Sequence, residues 1–280
     1  MTSTTLSERD SAAVAAESRA RRRRALEAPV LGVAGVLLVT LLVELVPRLG
    51  IVDARFLPPA STIFGALFGV LGDASFWGAL GNTLITWFIG LSVAMVLGVG
   101  LGMLIGSFPT VREFTSSTIE FLRPIPSVAL IPLVVLLLGT QRPSTLVLVI
   151  YAAFWQVLVQ VLYGVADVDP VARDTARSYH FRFFSEGYWV VWPTALPYVV
   201  TGFRLAATVA LILTLTGELI IGTPGLGQQI AVAQSSGAVP LMYALIVVAG
   251  ILGVLVNVVA RFIEAKALFW HPSIRKEGTL

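Results

Sequence analysis

Residues 166–197 read ADVDPVARDTARSYHFRFFSEGYWVVWPTALP. This stretch carries Asp167, Asp169, Arg173, Asp174, Arg177, Arg182 and Glu186, and each ionised side chain would be costly in hydrocarbon. The flanking runs, 143–165 and 198–221, are apolar throughout most of their length. Each is long enough to cross a bilayer, which takes about 17–25 residues. A charged interlude between two such runs implies helices that cross, turn in water and cross back. Asp169-Pro170 suits a helix start, with Asp at the N-cap and Pro in the first turn. Val171–Ser178 reads as a short helix with Ala172 and Ala176 on one face and Arg173 and Arg177 likewise four apart. The chain then turns through His180-Phe181-Arg182 into Phe183–Trp192, and Pro193 and Pro197 precede the next span. By composition this short helix suits a docking element and an interfacial helix equally.

Working outward, the 280 residues are 56% apolar and 12% charged, where soluble domains have about 45–50% and about 25%. A soluble globule could not hide that much apolar surface. With no cysteine, a disulfide-built secreted module is excluded. Spans are expected near 29–47, 80–106, 124–140, 143–165, 198–221 and 239–263, giving an all-α polytopic transmembrane bundle of six spans. With the N-terminus inside, the cytoplasmic segments are 1–28, 107–123, 166–197 and 264–280. Of the 19 basic residues only Arg48, Arg55 and Arg142 then fall outside, a strong positive-inside bias that favours an even number of spans. Arg19 and Arg21–Arg24 read as a solvated tail that sets topology, and the run after them is too long for a signal-peptide core. The domain reading is a flexible tail over 1–28, a transmembrane body over 29–270 and a short cytoplasmic tail over 271–280.

The second span is expected to pack closely through Gly98, Gly102 and Gly106, a small-xxx-small series. The external segment 48–79 holds Pro58-Pro59 and then a short amphipathic helix near Ile63–Leu71. At 120–132, EFLRPIPSVALIP, the prolines Pro124, Pro126 and Pro132 open an apolar run. A lipid-facing helix would lose backbone hydrogen bonds there, so an interruption is expected where protein or a water-lined path satisfies them. Pro124, Pro126, Ser127 and Pro132 are therefore path or gate candidates, alongside a simple packing kink. Glu218 is a carboxylate near the outer part of the fifth span, open to path, gating or fold-stabilising roles. Gly222 begins the tract GTPGLGQQ, read as an external re-entrant hairpin or surface loop; no Gly-Lys-Ser/Thr makes it a P-loop. Trp77, Trp87, Trp189, Trp192 and Trp270 read as interfacial residues. Two histidines and no cysteine give little support to a metal cluster or nucleophilic triad.

Asp174-Thr175-Ala176-Arg177-Ser178-Tyr179-His180, with Leu196-Pro197 beyond it, resembles the EAA loop of binding-protein-dependent ABC importer permeases. FLRPIPS at 121–127, ALIP at 129–132, GELI at 217–220, GLG at 225–227 and FWHP at 269–272 are similar to the branch serving sulfonate, taurine, nitrate and related compounds. The resemblance covers roughly residues 55–275 and implies a type I importer permease fold. It implies that the segment Asp169–Phe183, with Asp169, Pro170, Ala172, Arg173, Asp174, Thr175, Ala176, Arg177, Ser178, Tyr179 and His180, docks into a groove of an ATPase subunit. Asp174 stands at the family's glutamate position, and His180 replaces its glycine, which puts the turn's geometry in question. Also implied are a second permease subunit, expected to be an identical copy, and two cytoplasmic ATPase subunits that bind ATP and Mg. An extracytoplasmic solute-binding protein delivers the solute. This chain is expected to hold no cofactor, to bind no nucleic acid, and to sit in lipid in a bacterial inner membrane with both termini cytoplasmic. The rival expectations are an importer for a vitamin precursor or other non-anionic solute, an ion-coupled secondary transporter using Glu218, and a scaffold without transport.

Overall fold

The computed structural model describes residues 30–269. The expected tails, the N-terminal arginine run, Trp270, His271 and Pro272 lie outside the described residues. Eleven helices are described: α1 (Val30–Arg48), α2 (Ala60–Leu71), α3 (Ala74–Ser107), α4 (Pro109–Leu122), α5 (Ile131–Leu138), α6 (Arg142–Ala166), α7 (Pro170–Ser178), α8 (Phe183–Glu186), α9 (Trp192–Ile221), α10 (Leu226–Ser235) and α11 (Val239–Ala267). The chain divides into two units at Ala66, within α2. In the first, Glu44 of α1 accepts from the Ser61 amide at 2.8 Å and pairs with Arg48.

Five stretches are long and apolar enough to cross a membrane: α1, α3, α6, α11 and the continuous run Phe183–Ile221. The expected spans begin later than two of the observed helices do. α3 starts at Ala74 rather than near residue 80, because Asp73 caps it by accepting from the Ser75 amide at 2.9 Å. The helix leading into the fifth span starts at Phe183 rather than near 198 and passes through a π-turn at Gly187–Val191. Pro193 falls in the first turn of α9, and Pro197 lies inside that helix instead of before it. The third span is interrupted as expected. α4 and the segment Ser127–Leu138 are bent against each other by 80°. Residues 109–122, expected as a cytoplasmic connection, are helical and bury none of their side chains. GTPGLGQQ is not a loop throughout: after Gly225 it forms the first turn of α10.

α3 and α6 pack through glycines facing valines. A Cβ on Gly98, Gly102 or Gly106 would lie 2.7–2.8 Å from the Cβ of Val157, Val161 or Val165. Each valine lies 59 positions after its glycine, and Gly90 faces Val149 in the same register. The two helices therefore run parallel. α6 and α9 run antiparallel, with Gly164 against Ala195 and Tyr198, Gly202 against Gln160, and Gly217 against Thr145. Small residues at each crossing admit close backbones where lipid supplies no hydrophobic drive between helices. Gly102→Ala is expected to destabilise the α3–α6 pair by about 1–3 kcal/mol through overpacking against Val161. Denaturant titration in detergent would measure this, with Gly100→Ala as the control because open space surrounds that position.

Trp87 departs from the interfacial expectation. Its Nε1 donates to the Ala207 carbonyl at 2.9 Å, joining α3 to α9 within the bundle. Trp77 and Trp189 are exposed, and Trp192 packs partly buried against the core.

Candidate functional site

At one end of the bundle, beyond the last turn of α6, α7 stands as a short capped helix. Asp169 accepts from the Val171 amide at 2.8 Å and Pro170 occupies the first turn. Thr175 and Ser178 return their hydroxyls to the carbonyls of Val171 and Asp174. At its far end the His180 amide donates to Arg177 O at 2.9 Å and the Phe181 amide to Ala176 O at 3.0 Å. These two bonds form a Schellman closure, whose first residue past the cap is left-handed. His180 takes that conformation at φ 59°. A histidine in this left-handed position carries backbone strain that a glycine would not. His180→Gly is expected to stabilise the turn by about 1 kcal/mol, seen as slower amide exchange at Tyr179 and Phe181.

The other side chains of α7 divide by face. Ala176 is buried, whereas Val171, Ala172, Asp174 and Tyr179 are exposed. Arg173 turns inward and donates from Nη2 to the Val165 carbonyl at 3.1 Å, tying α7 to the end of α6. Arg177 lies 3.8 Å from Asp174 and 3.9 Å from Glu186 of α8. The residues from Asp169 to His180 thus form one capped helical element, exposed except along the edge of Arg173 and Ala176.

Glu218 sits at the opposite end, 1% exposed. Its Oε2 accepts from Thr83 Oγ1 of α3 at 2.9 Å and from the Gly227 amide of α10 at 3.0 Å. Thr83 Oγ1 in turn accepts from the Leu226 amide at 2.9 Å. α10 has no side-chain cap of its own, because Gly225 occupies the N-cap. Glu218 and Thr83 satisfy its leading amides instead, and a carboxylate there also complements the positive end of the helix. Gly225 is required for this approach, since a Cβ would overlap the Glu218 carboxyl. Gly227 is required likewise, its position lying against the Leu215 carbonyl. Gly222 ends α9 at φ 83°, and its carbonyl accepts from Gln228 Nε2 at 2.9 Å. Thr145 and Thr223 share a buried hydroxyl bond at 2.9 Å beside this clasp.

The proline candidates occupy the break itself. Pro124 lies in the turn after α4, Pro126 caps the 3₁₀ turn Ser127–Leu130, and Pro132 is in the first turn of α5. None removes a hydrogen bond from a helix interior. The Tyr151 hydroxyl caps the end of α4 by donating to Leu122 O at 2.6 Å. Beyond the break, Val134 of α5 packs with Leu148 and Ile221, three residues past Glu218. Thr83, Gly225 and Gly227 were not marked as partners of Glu218 by any spacing in the sequence. Arg204, near the α7 end of α9, pairs with Glu264 of α11 at 3.2 Å.

Residues 94–268, which hold α7, the broken span and the Glu218 clasp with the exception of Thr83, match the family described as binding-protein-dependent transport system inner membrane component. The chain belongs to that family. It is 30% identical over 235 residues to the taurine transport system permease protein TauC of Escherichia coli, covering 82% of this chain and 86% of that protein. It is 27% identical over 177 residues to the nitrate import permease protein NrtB of Synechocystis, covering 63% and 64%. The fold is similar to that of the MetNI methionine ABC transporter in an inward-facing conformation. There the TM-score is 0.59 at 19% identity, over 69% of this chain and 96% of the matched one. The protein is a multi-pass membrane permease component of a binding-protein-dependent importer.

Proposed function

We propose that this chain forms the translocation path for a small sulfonate such as taurine, or for nitrate. The solute class rests on the named transport of the two relatives. Coupling to a separate ATPase subunit rests on α7, a capped helix whose exposed face carries Asp174 beyond the last turn of α6. Two permease subunits, two ATPases that bind ATP and Mg, and an extracytoplasmic binding protein would complete the machine. The α7 end is then cytoplasmic and the Glu218 end external, in agreement with the placement of the basic residues.

Six spans, rather than five, are supported by the parallel course of α3 and α6. Two parallel helices begin on the same side, so the chain between Ser107 and Arg142 must cross once. The bent pair α4–α5 makes that crossing. Next to it, Glu218 holds α10 across the ends of α3 and α9, where an outer gate would lie.

Vesicles containing this chain, its ATPase and its binding protein should take up radiolabelled taurine only with internal ATP. Uptake driven by a proton gradient with this chain alone would instead establish a secondary transporter, and uptake of a vitamin precursor in place of a sulfonate or nitrate would overturn the solute assignment. If the complete set catalyses no uptake of any solute its binding protein holds, the transport reading is wrong.

A further inference from the structure

Three arginines line one cavity of about 380 Å³ where α3, α6 and α7 meet at the α7 end of the bundle. Arg112 comes from α4, and Arg173 and Arg177 come from α7; Asp174 is the acidic member of the lining. Arg112 makes no ion pair or side-chain hydrogen bond among the described residues. Arg173 uses Nη2 on the Val165 carbonyl, but its Nε is buried with no partner among the described residues. Arg177 is held only loosely, with both carboxylates at nearly 4 Å. The cavity therefore retains positive charge and unspent guanidinium donors, which match the oxygens of a phosphate. A second cavity of about 480 Å³ lies at the same end of α3, walled by Met103, Phe183, Phe184, Tyr188 and Trp192. Gly106 lines the first and Ser107 the second, so a charged and an apolar site adjoin the same turn of α3.

From this pairing we infer that the arginine cavity is a binding site for the phosphate of an anionic phospholipid. The aromatic cavity would accept part of an acyl chain, a feature for which free phosphate has no use. The site rests on the reading that the α7 end is cytoplasmic, where anionic headgroups concentrate and basic pockets between spans recruit them. A lipid seated there would touch both α4 and α7, and so would brace the docking helix against the bundle.

The test uses the full-length chain reconstituted in vesicles of equal parts phosphatidylcholine and phosphatidylglycerol, extracted in mild detergent and analysed by native mass spectrometry. The wild type should retain phosphatidylglycerol in preference to phosphatidylcholine. Arg112→Gln should weaken that preference by about fivefold, the share of one basic residue near an anionic surface. Arg112→Lys should keep most of it, and Arg261→Gln, on α11 away from the cavity, should keep all of it. Equal retention of both lipids by the wild type, or equal losses in Arg112→Gln and Arg261→Gln, would overturn the site. Displacement of the lipid by millimolar inorganic phosphate would overturn the lipid assignment in favour of a free anion. Lipid retention is read without transport, so its failure leaves the permease reading untouched.

Discussion

Glu218→Ala is expected to release the first turn of α10 and to destabilise the protein by about 3 kcal/mol or more. The substitution empties a fully buried side-chain volume and strips the Gly227 amide of its acceptor. A buried donor without a partner costs about 1–3 kcal/mol by itself. Glu218→Gln should be much milder, within about 1 kcal/mol, because a near-isosteric amide can present its carbonyl where Oε2 stands. Its NH2 group then takes the place of Oε1, itself buried without a hydrogen bond among the described residues, so one unpaired buried group replaces another and no new one is added. Gly225→Ala should reproduce the alanine effect from the other side, by driving a methyl group into the Glu218 carboxyl. Amide exchange at Leu226 and Gly227, with a denaturant titration, reads the series. If Glu218→Ala exchanges and unfolds like wild type, the clasp contributes no stability. If Glu218→Gln keeps the fold and loses uptake, the charge itself serves transport.

The second large effect separates the two faces of α7. Asp174→Trp is expected to weaken association with the ATPase subunit by about thirtyfold, the size of one interface hot spot of ~2 kcal/mol. The side chain of Asp174 is 77% exposed, so the isolated permease should keep its stability. Ala176→Trp should fail differently. Ala176 is 5% exposed, and an indole there would push α7 away from the bundle before any partner is met. Co-purification with the ATPase, set beside the thermal unfolding of the permease alone, tells the two apart. Normal association and ATP-dependent uptake in Asp174→Trp would remove α7 as the docking element.

These two sites were legible in the sequence to different degrees. α7 is local: its cap, its proline and its paired arginines lie within a dozen residues, so the pattern sufficed to place it. The sequence also flagged His180 as a departure, and the strain is found there. Glu218 could be flagged only as an expensive carboxylate, because its partner Thr83 lies 135 residues away and a threonine in an apolar run carries no signal. Gly225 and Gly227 looked like turn residues; their requirement comes from the close approach of α9, which only packing reveals. The sequence does not mark where a helix starts when its first turns are mixed in character, as at Ala74–Ala79 and Phe183–Pro197. Apolar runs mark the part of a helix that meets lipid, whereas these turns are set by a cap or by proline.

The facing series on α3 and α6 has one member that is not glycine. Ala94 and Ala153 stand in the same register as the glycine–valine pairs, and both are completely buried. Glycines at 98, 102 and 106 repeat every turn, as do the valines opposite. On their own they would allow the two helices to slip by one turn and mesh again. Slippage in either direction sets Ala94 against a valine, Val157 or Val149, where a methyl already fills the space that glycine leaves open. A single methyl group thus acts as the key of a lock, and the pair of helices has one alignment where the repeat alone would permit several.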